Sequence, residues 1–240
     1  MGDDRVKTGI TGLDAMLGGG IPSTDQIIIA GGPGAGKTLI SFEILYHNAK
    51  AGIPTAFIAL EEQPNTVVKN AKQAFPEFTD IDDLINSKLL FVDGEDPASK
   101  ITPSSDSQTY SFGNVVSEIE GIIKVNNAKV VVIDSISLLK LMLPDKLIYR
   151  KSMIALVSNL RRLGVTTILT SEISSYERSR LKFNEEFFIF DGLVTMYQTG
   201  EEDKRVFALE IVKLRGSAHS KALSPYDITS QGFRIFTLEQ

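Results

Sequence analysis

The chain has 240 residues and a formal net charge of −5, with 42% hydrophobic and 23% charged residues. This is the composition of an ordinary globular protein, and the negative charge argues against a general coat for nucleic acid. Because cysteine is absent, disulfides and thiolate metal sites are excluded, which suits the cytoplasm. No linker rich in proline, glycine or serine and no repeat divides the chain, so we expect one domain over residues 1–240. Neither a signal peptide nor a membrane span is predicted, since no sufficiently long apolar run occurs.

Strand-like and helix-like segments alternate along most of the chain. Nearly continuous apolar runs are typical of strands buried on both faces of a parallel sheet. Such runs predict strands at 26–30, 54–60, 88–92, 129–134 and 165–171, separated by helical patterns at 38–51, 64–75, 113–126 and 147–163.

The last of these helices, and the segments after it, complete the predicted fold. The helical pattern of 147–163 directs Ile148, Met153, Leu156, Val157 and Leu160 toward a core. After Asp191, residues 192–214 form a pattern of two strands joined by a polar turn, and residues 225–238 form a second hairpin pattern. The predicted fold class is therefore α/β, with a mostly parallel central sheet flanked by helices and followed by C-terminal antiparallel strands.

A phosphate-binding motif joins the first of these strands to the first helix. The stretch GGPGAGKT matches G-x-x-x-x-G-K-[ST] from Gly31 to Thr38. Glycines let the backbone turn consecutive N–H groups toward phosphate oxygens, the lysine reaches the terminal phosphates, and the threonine hydroxyl can bind Mg²⁺. A glycine-rich turn that binds nothing is the alternative, but the position between strand and helix favours a nucleotide site. The predicted nucleotide-binding residues are Gly32, Gly34, Ala35, Gly36, Lys37, Thr38 and Leu39.

Carboxylates follow two other predicted strands. Asp134 ends the strand 129–134, at the edge of the sheet where ligands bind in α/β proteins, and could hold Mg²⁺ through water. It could equally be the N-cap of a helix. Glu61 and Glu62 end another strand, where a glutamate could polarise the water that attacks a γ-phosphate. The alternative is that both only favour the dipole of the next helix.

Further stretches stand in a fixed order around these motifs: TGITGLDAMLGGGIP, then LEE, VVVIDS, TSE and VKLRGSAH. In this order and spacing the whole chain resembles the KaiC domain, a RecA-like P-loop ATPase. The resemblance implies a regulatory ATPase that uses ATP and Mg²⁺, with Lys37, Glu61 and Glu62 as catalytic residues and Thr38 and Asp134 serving Mg²⁺. It also implies protein partners and a homo-oligomer, a hexameric ring or a filament, with nucleotide between subunits.

Two cations near the C-terminus fit such an assembly. Lys213 and Arg215 stand two apart on a predicted strand and point the same way, so both could project toward a neighbour's γ-phosphate. From the residues alone they could equally be solvated cations on an edge strand. The resemblance implies that both, together with His219, contact the adjacent subunit's nucleotide.

The chain also departs from the clock protein. That protein has two such domains in tandem, whereas this chain has one. The positions of its self-phosphorylated Ser–Thr pair correspond to Phe187 and Phe188, shortly before Asp191. We therefore do not expect clock-type autokinase activity.

Two other functions stay open from the sequence. One is a recombination or repair accessory ATPase of the RecA type that binds single-stranded DNA, through cations and stacking rings. The candidate residues for that role are Tyr176, Arg178, Arg180, Lys182 and Phe183. The other is a scaffold that holds nucleotide and hydrolyses it poorly.

Overall fold

A computed structural model describes residues 4–94, 112–173, 185–199 and 206–237. The strands are β1 (Arg5–Val6), β2 (Ile21–Pro22), β3 (Gln26–Gly31), β4 (Thr55–Ala59), β5 (Leu90–Asp93), β6 (Val130–Asp134), β7 (Thr166–Glu172), β8 (Gly192–Thr199), β9 (Val206–Leu214), β10 (Ser224–Thr229) and β11 (Gly232–Ile235). The helices are α1 (Leu13–Met16), α2 (Lys37–Lys50), α3 (Pro64–Ala74), α4 (Ile81–Asn86), α5 (Phe112–Val125), α6 (Ile136–Met142) and α7 (Lys146–Arg162), with a 3₁₀ turn at Glu185–Phe188.

The predicted strands and helices of the first 163 residues are present, each within two residues of its predicted bounds. The same holds for strand β7. Three short helices, α1, α4 and α6, and the small β1–β2 pair were not predicted, because segments of two to seven residues carry too little periodicity to be recognised.

The described strands form a nine-stranded sheet in the order β11-β10-β9-β8-β3-β7-β6-β4-β5. Neighbours from β8 to β5 pair in parallel, and β9, β10 and β11 are antiparallel. The prediction was wrong for β8, which was placed in the antiparallel extension. It does form a hairpin with β9, but its other edge pairs in parallel with β3, from Ile27–Gly192 to Gly31–Met196. A hairpin pattern indicates that two consecutive strands pair with each other, but it does not indicate which strand pairs with the other edge of the hairpin.

Both faces of the parallel sheet are covered, which explains the continuous apolar runs. Along β3, Ile27 and Ile29 face one hydrophobic cluster, shared with α2, α3 and the β10–β11 hairpin. Ile28 and Ala30 face a second cluster, shared with α5, α6 and α7. Alternate residues of one strand thus support two separate layers.

One predicted core residue of α7 is exposed. Met153, Leu156, Val157 and Leu160 are buried as predicted, whereas Ile148 is 54% exposed. The buried stripe begins instead at Tyr149, which precedes Met153 by four residues. Because helical residues advance about 100° each, Ile148 lies well off that stripe.

The candidate DNA-binding residues from Tyr176 to Phe183 lie outside the described residues, so the structure does not test the DNA-binding alternative. The polar turn between β8 and β9 also lies largely outside them. Among the residues that the structure describes, no helix is both long and apolar enough to cross a membrane.

Candidate functional site

The P-loop lies between the end of β3 and the start of α2. Its backbone closes on itself through Ala35 N–H, which donates to the Gly32 carbonyl at 3.3 Å. Gly36 has φ +89°, and a Cβ there would lie 2.9 Å from Phe233 Cζ and 3.0 Å from Ile228 Cδ1. Both the conformation and the close approach require glycine at this last position before the helix.

The P-loop lysine is held inside the loop. Lys37 is buried, and its Nζ donates to the Gly32 carbonyl at 3.1 Å. Burial lowers the pKa of Lys37, while the carboxylates of Glu172, Asp134 and Glu61 act in the opposite direction. The ammonium is therefore the positive centre of an otherwise acidic site.

Asp134 lies where the sequence predicted it, at the P-loop edge of the sheet. The Thr38 hydroxyl donates to its Oδ2 at 2.7 Å, and the Thr170 hydroxyl donates to its other oxygen. The peptide bond that follows Asp134 is cis. The N-cap alternative fails, because Ser135 and not Asp134 caps helix α6.

The two glutamates after β4 have different neighbours. The Ser135 hydroxyl donates to Glu61 Oε1 at 2.5 Å, which places this carboxylate beside Asp134 and the P-loop. Glu62 instead accepts a long hydrogen bond of 3.4 Å from Asn70 Nδ2 on α3. Only Glu61 of the pair therefore touches the residues around the P-loop.

The electrostatics of Glu61 suit a proton acceptor. The residue is exposed at the mouth of the site, but neighbouring groups remove part of the water around its carboxyl group. This desolvation raises the pKa of Glu61; the Ser135 hydrogen bond opposes the rise, and the charges of Asp134 and Glu172 add to it. A carboxylate with a raised pKa is a better base at neutral pH than an ordinary one.

Three residues of this cluster were not predicted as site residues: Ser135, Thr170 and Glu172. Glu172 ends β7, next to β3 in the sheet, and its charge acts on both Lys37 and Glu61. The same strand-end signal that identified Asp134 could have found Glu172. Ser135 and Thr170 carry no such signal, since serine and threonine are common at strand ends and helix caps.

The oxygen donors around Thr38 and Asp134 fit Mg²⁺. The hydroxyl and the carboxylate are hard ligands, and they lie directly beside the P-loop. No group of three or more metal-binding side chains occurs among the described residues. Mg²⁺ usually keeps several waters and binds through one or two carboxylates plus substrate phosphates, so a sparse protein donor set is the expected arrangement.

Lys213, Arg215 and His219 lie away from this cluster. Leu214 pairs with Gly192, which pairs with Ile27 at the start of β3, whereas the P-loop follows its end. Four residues of strand, roughly 13 Å, separate the two edges. Lys213 Nζ donates to the Phe187 carbonyl at 3.2 Å, and Arg215 donates to the Phe188 carbonyl at 2.7 Å. None of the three is brought to the P-loop of its own chain.

His219 follows the same edge and is partly buried, with Nδ1 3.2 Å from the Ser217 carbonyl oxygen. Burial lowers the pKa of Lys213, and the nearby Arg215 charge lowers it further. Asp191 anchors this edge, because its side chain accepts from Arg161 at 2.6 Å and from the backbone N–H of Gln26 at 2.9 Å. Lys213 and Arg215 are thus held in place by packing and hydrogen bonds, and we call this pair the cationic corner.

Comparison with known proteins identifies the family of this chain. The family model described as "ATPase: KaiC" matches residues 6–240. The chain belongs to the KaiC ATPase family. Family membership supports nucleotide binding and, in general terms, ATP hydrolysis, which is the chemistry that the P-loop cluster indicates.

The similar proteins differ in length. The circadian clock oscillator protein KaiC of Picosynechococcus is 31% identical over 99% of this chain, which spans only 45% of that protein. A UPF0273 protein of Methanopyrus kandleri is 33% identical over 98% of this chain and 93% of its own length. The chain therefore spans about half the length of the clock relatives, but nearly the full length of the short one.

A solved structure shows the same fold. The crystal structure of a KaiC-like protein from Pyrococcus horikoshii is 27% identical, with a TM-score of 0.81 over 98% of this chain and 99% of that one. This likeness confirms the predicted RecA-like fold with its mostly parallel sheet and antiparallel extension.

Proposed function

We propose that this chain is a Mg²⁺-dependent ATPase that works as a homo-oligomer, with each nucleotide held between two subunits. The observation that carries the proposal is the convergence of Lys37, Thr38, Asp134 and Glu61 at one edge of the sheet. These residues come from three separate strand ends and supply a phosphate-binding cation, oxygen donors and a base.

Each residue of the site has its own role in the proposed reaction. The P-loop backbone and Lys37 hold the phosphates of ATP, and Thr38 and Asp134 hold Mg²⁺, which neutralises charge on the phosphate oxygens. Glu61 accepts a proton from the water that attacks the γ-phosphorus, and the products are ADP and inorganic phosphate. Ser135 orients the Glu61 carboxylate for this step through its hydrogen bond. Glu62 was predicted to be catalytic from the sequence, but the proposal gives it no part in the proton transfer, because its carboxylate contacts Asn70 instead.

The second half of the site comes from a neighbouring subunit. Lys213 and Arg215 lie at the sheet edge opposite the P-loop, so neither reaches the nucleotide of its own chain without a large rearrangement. In a head-to-tail ring or filament, one subunit's cationic corner meets the next subunit's P-loop. We propose that Arg215 stabilises the charge of the transferred phosphoryl group there, with Lys213 and His219 beside it.

Hydrolysis in this arrangement changes how subunits pack, because the γ-phosphate joins the two halves of the site. This is the basis for proposing a regulatory ATPase that presents different surfaces to protein partners before and after hydrolysis. The one-domain organisation and the cytoplasmic location stay predictions. Phe187 and Phe188 carry no hydroxyl group, so self-phosphorylation at these two positions is not part of the proposal.

The proposal is tested by comparing Glu61→Gln with Glu62→Gln. Glu61→Gln keeps the shape and the Ser135 contact but cannot accept a proton, so we expect turnover to fall at least about a hundredfold with ATP binding retained. Glu62→Gln removes a charge away from the P-loop, and its amide oxygen can still accept from Asn70, so it should lower turnover less than about tenfold. Turnover is measured by phosphate release and binding by calorimetry.

Several results would contradict the proposal. If Glu61→Gln turns over ATP like the unsubstituted protein, the chain is a scaffold with slow background hydrolysis and not an ATPase of this mechanism. If turnover depends on single-stranded DNA and that dependence weakens steeply with salt, the recombination alternative is favoured. Light scattering with ATP and with ADP checks that assembly is the same for both variants.

A further inference from the structure

The C-terminal hairpin β10–β11 packs against the outside of the P-loop. Tyr226, on β10, is buried, and its hydroxyl donates to the carbonyl oxygen of Ala35 at 2.6 Å. Ala35 is the residue before the last P-loop glycine, and it too is buried. The hydrogen bond thus joins two residues 191 positions apart, one of them in the centre of the phosphate-binding motif.

Two further contacts tie the same hairpin to the same segment. The Phe233 ring and the Ile228 side chain lie within about 3 Å of where a Cβ of Gly36 would be. The backbone N–H of Phe233 donates to Glu43 Oε2 on helix α2 at 2.8 Å. The hairpin therefore contacts the loop at Ala35 and Gly36 and also the helix that follows it.

The Tyr226 hydrogen bond sets the orientation of one peptide unit, the one between Ala35 and Gly36. The carbonyl of Ala35 and the N–H of Gly36 belong to the same planar trans peptide, in which the two bonds point in opposite directions. A donor that holds the Ala35 oxygen toward the hairpin consequently turns the Gly36 N–H to the other side, toward the inside of the loop. Inward-pointing N–H groups are what a P-loop uses to bind phosphate.

We propose that Tyr226 is a positioning residue for nucleotide binding: its hydroxyl fixes the Ala35–Gly36 peptide so that the Gly36 N–H faces the phosphates. This inference rests on the proposed function, because it assigns a role within the proposed nucleotide site. Tyr226 touches the loop from outside and does not itself contact ATP.

Tyrosine is suited to this position by both its ring and its hydroxyl. The ring packs among Phe207 and Phe233, with centroids 5.5 and 5.7 Å away, so its place is set by the core. Burial raises the pKa of the phenol, and the hydroxyl keeps its proton throughout the physiological range. The contact should accordingly be insensitive to pH in that range.

The test is Tyr226→Phe, which keeps the ring and removes only the donor. We expect the affinity for ATP and for ADP to fall about three- to tenfold, the loss that corresponds to one hydrogen bond. The KM for ATP should rise by a similar factor while kcat changes less than about twofold. In the nucleotide-free protein, amide hydrogen exchange of residues 32–38 should be at least about threefold faster than in the unsubstituted protein.

Tyr46→Phe is the matched control. Tyr46 is also buried, and its hydroxyl donates to Asp80 at 2.5 Å, but it lies in the last two turns of α2, away from the loop. It should lose similar thermal stability without changing nucleotide affinity or exchange of residues 32–38. Melting temperatures of both variants separate a general loss of stability from an effect on the loop.

The outcomes distinguish this inference from the proposed function. If the unsubstituted protein binds no nucleotide, the proposed function fails and the affinity role of Tyr226 fails with it. If it binds nucleotide and Tyr226→Phe binds equally well, only the inference is overturned, whatever happens to hydrogen exchange. Equal effects of Tyr226→Phe and Tyr46→Phe on affinity and exchange would likewise overturn it. Weaker binding and faster exchange confined to Tyr226→Phe support it.

Discussion

Glu61 and Glu62 are adjacent in sequence, but the protein gives them different surroundings. Glu61 accepts a short hydrogen bond from Ser135 and lies within the electrostatic reach of Lys37, Asp134 and Glu172. Glu62 faces Asn70 on α3. Both lie in the bend between β4 and α3, and there the two neighbouring carboxylates contact different elements.

The hydrogen bond from Ser135 to Glu61 predicts how the activity depends on pH. Its hydroxyl stabilises the charged form of Glu61 and so lowers a pKa that desolvation raises. Ser135→Ala removes this effect, and the Glu61 pKa should rise further. Because the base must be ionised to accept a proton, the acid limb of kcat/KM should move to higher pH in the variant. The measurement is the pH profile of kcat/KM, which reports ionisations of the free enzyme.

Asp145→Ala is the control for this substitution. Ser135 also caps α6 by accepting from Ser137 N–H at 3.1 Å, and Asp145 caps α7 by accepting from Ile148 N–H at 2.8 Å. Each substitution should cost about 1 kcal/mol of stability through the lost cap. Only Ser135→Ala should shift the acid limb. An unshifted limb in Ser135→Ala would mean that another group sets the profile.

At the scale of elements, the β10–β11 hairpin and helix α2 meet at a buried carboxylate. Glu43 is 2% exposed, and its oxygens accept from Phe233 N–H at 2.8 Å and contact His47 Nε2 at 3.4 Å. Desolvation raises the pKa of Glu43, against the effects of these hydrogen bonds. Gly232 permits the approach: it has φ +110°, and a Cβ there would lie 2.2 Å from Glu43 Oε1.

This packing predicts a large cost for Gly232→Ala. The added methyl group collides with Glu43 in a backbone conformation that already disfavours a side chain, so we expect a loss of more than about 2 kcal/mol in unfolding free energy. In a Glu43→Ala background the collision is absent, and the same change should cost at least about 1 kcal/mol less. Urea denaturation of the four proteins of this cycle measures the coupling.

Gly164→Ala is the control for Gly232→Ala. Gly164 also has a positive φ, +68°, but no atom lies within 4 Å of where its Cβ would be. Its substitution should cost only the backbone strain, about 1–2 kcal/mol, with no dependence on Glu43. If Gly232→Ala is no more costly than this, or its cost is the same in both backgrounds, the contact with Glu43 does not constrain the hairpin.

The pH dependence of stability at Glu43 follows from the direction of its shift. A carboxyl group with a raised pKa in the folded state binds protons more readily there than when unfolded. Its contribution to stability is therefore most favourable below the unfolded pKa, and it is lost as pH rises through the raised folded pKa. The hydrogen bond between Phe233 and Glu43 therefore joins the hairpin to α2, although ionisation of Glu43 makes the folded state less stable at higher pH.

At the scale of the whole molecule, the sheet separates the P-loop from the cations proposed to act on a neighbouring subunit. The P-loop and its carboxylates lie at the carboxyl ends of the parallel strands, and Lys213 and Arg215 lie at the opposite edge. Phe188, whose carbonyl accepts from Arg215, is 61% exposed beside them. A head-to-tail contact between copies would bring the two edges together and cover this ring.

Mixing two inactive variants tests this arrangement. Lys37→Ala destroys the phosphate half-site and Arg215→Ala the proposed trans half-site, so each alone should lose at least about a hundredfold in turnover. When the two are mixed in equal amounts and reassembled, about a quarter of the interfaces combine an intact P-loop with an intact arginine. We expect turnover to recover toward about a quarter of the unsubstituted rate.

Lys129→Ala controls for charge loss at the same edge. Lys129 is exposed at the start of β6, several strands from Arg215, and contacts Asn127 at 2.9 Å. It should have nearly full turnover on its own. No recovery in mixtures whose mass shows mixed oligomers would contradict the trans arrangement, as would full activity of Arg215→Ala in the monomeric state.

Much of the fold and part of the site were predictable from the sequence because the signals were local. Continuous apolar runs predicted the buried strands, and the P-loop motif predicted both the nucleotide site and its place between β3 and α2. Asp134 was predictable from its position at a strand end. The exposure of Ile148 and the parallel pairing of β8 with β3 were not predictable. Which side of a helix end is buried, and which strand lies beside another, depends on the elements that pack there.

The sequence by itself determined the protein family and the kind of site to expect, since a phosphate-binding loop and a strand-end carboxylate need only the right residues at the right spacing. Only the tertiary structure decided which groups meet: that Glu61 rather than Glu62 faces the P-loop, that Glu172 joins it, and that Tyr226 holds the Ala35 carbonyl. It also placed Arg215 at the far edge of its own sheet. The physical reason is that these contacts join residues far apart in the chain, and their geometry is set by strand order and packing, which no local pattern encodes.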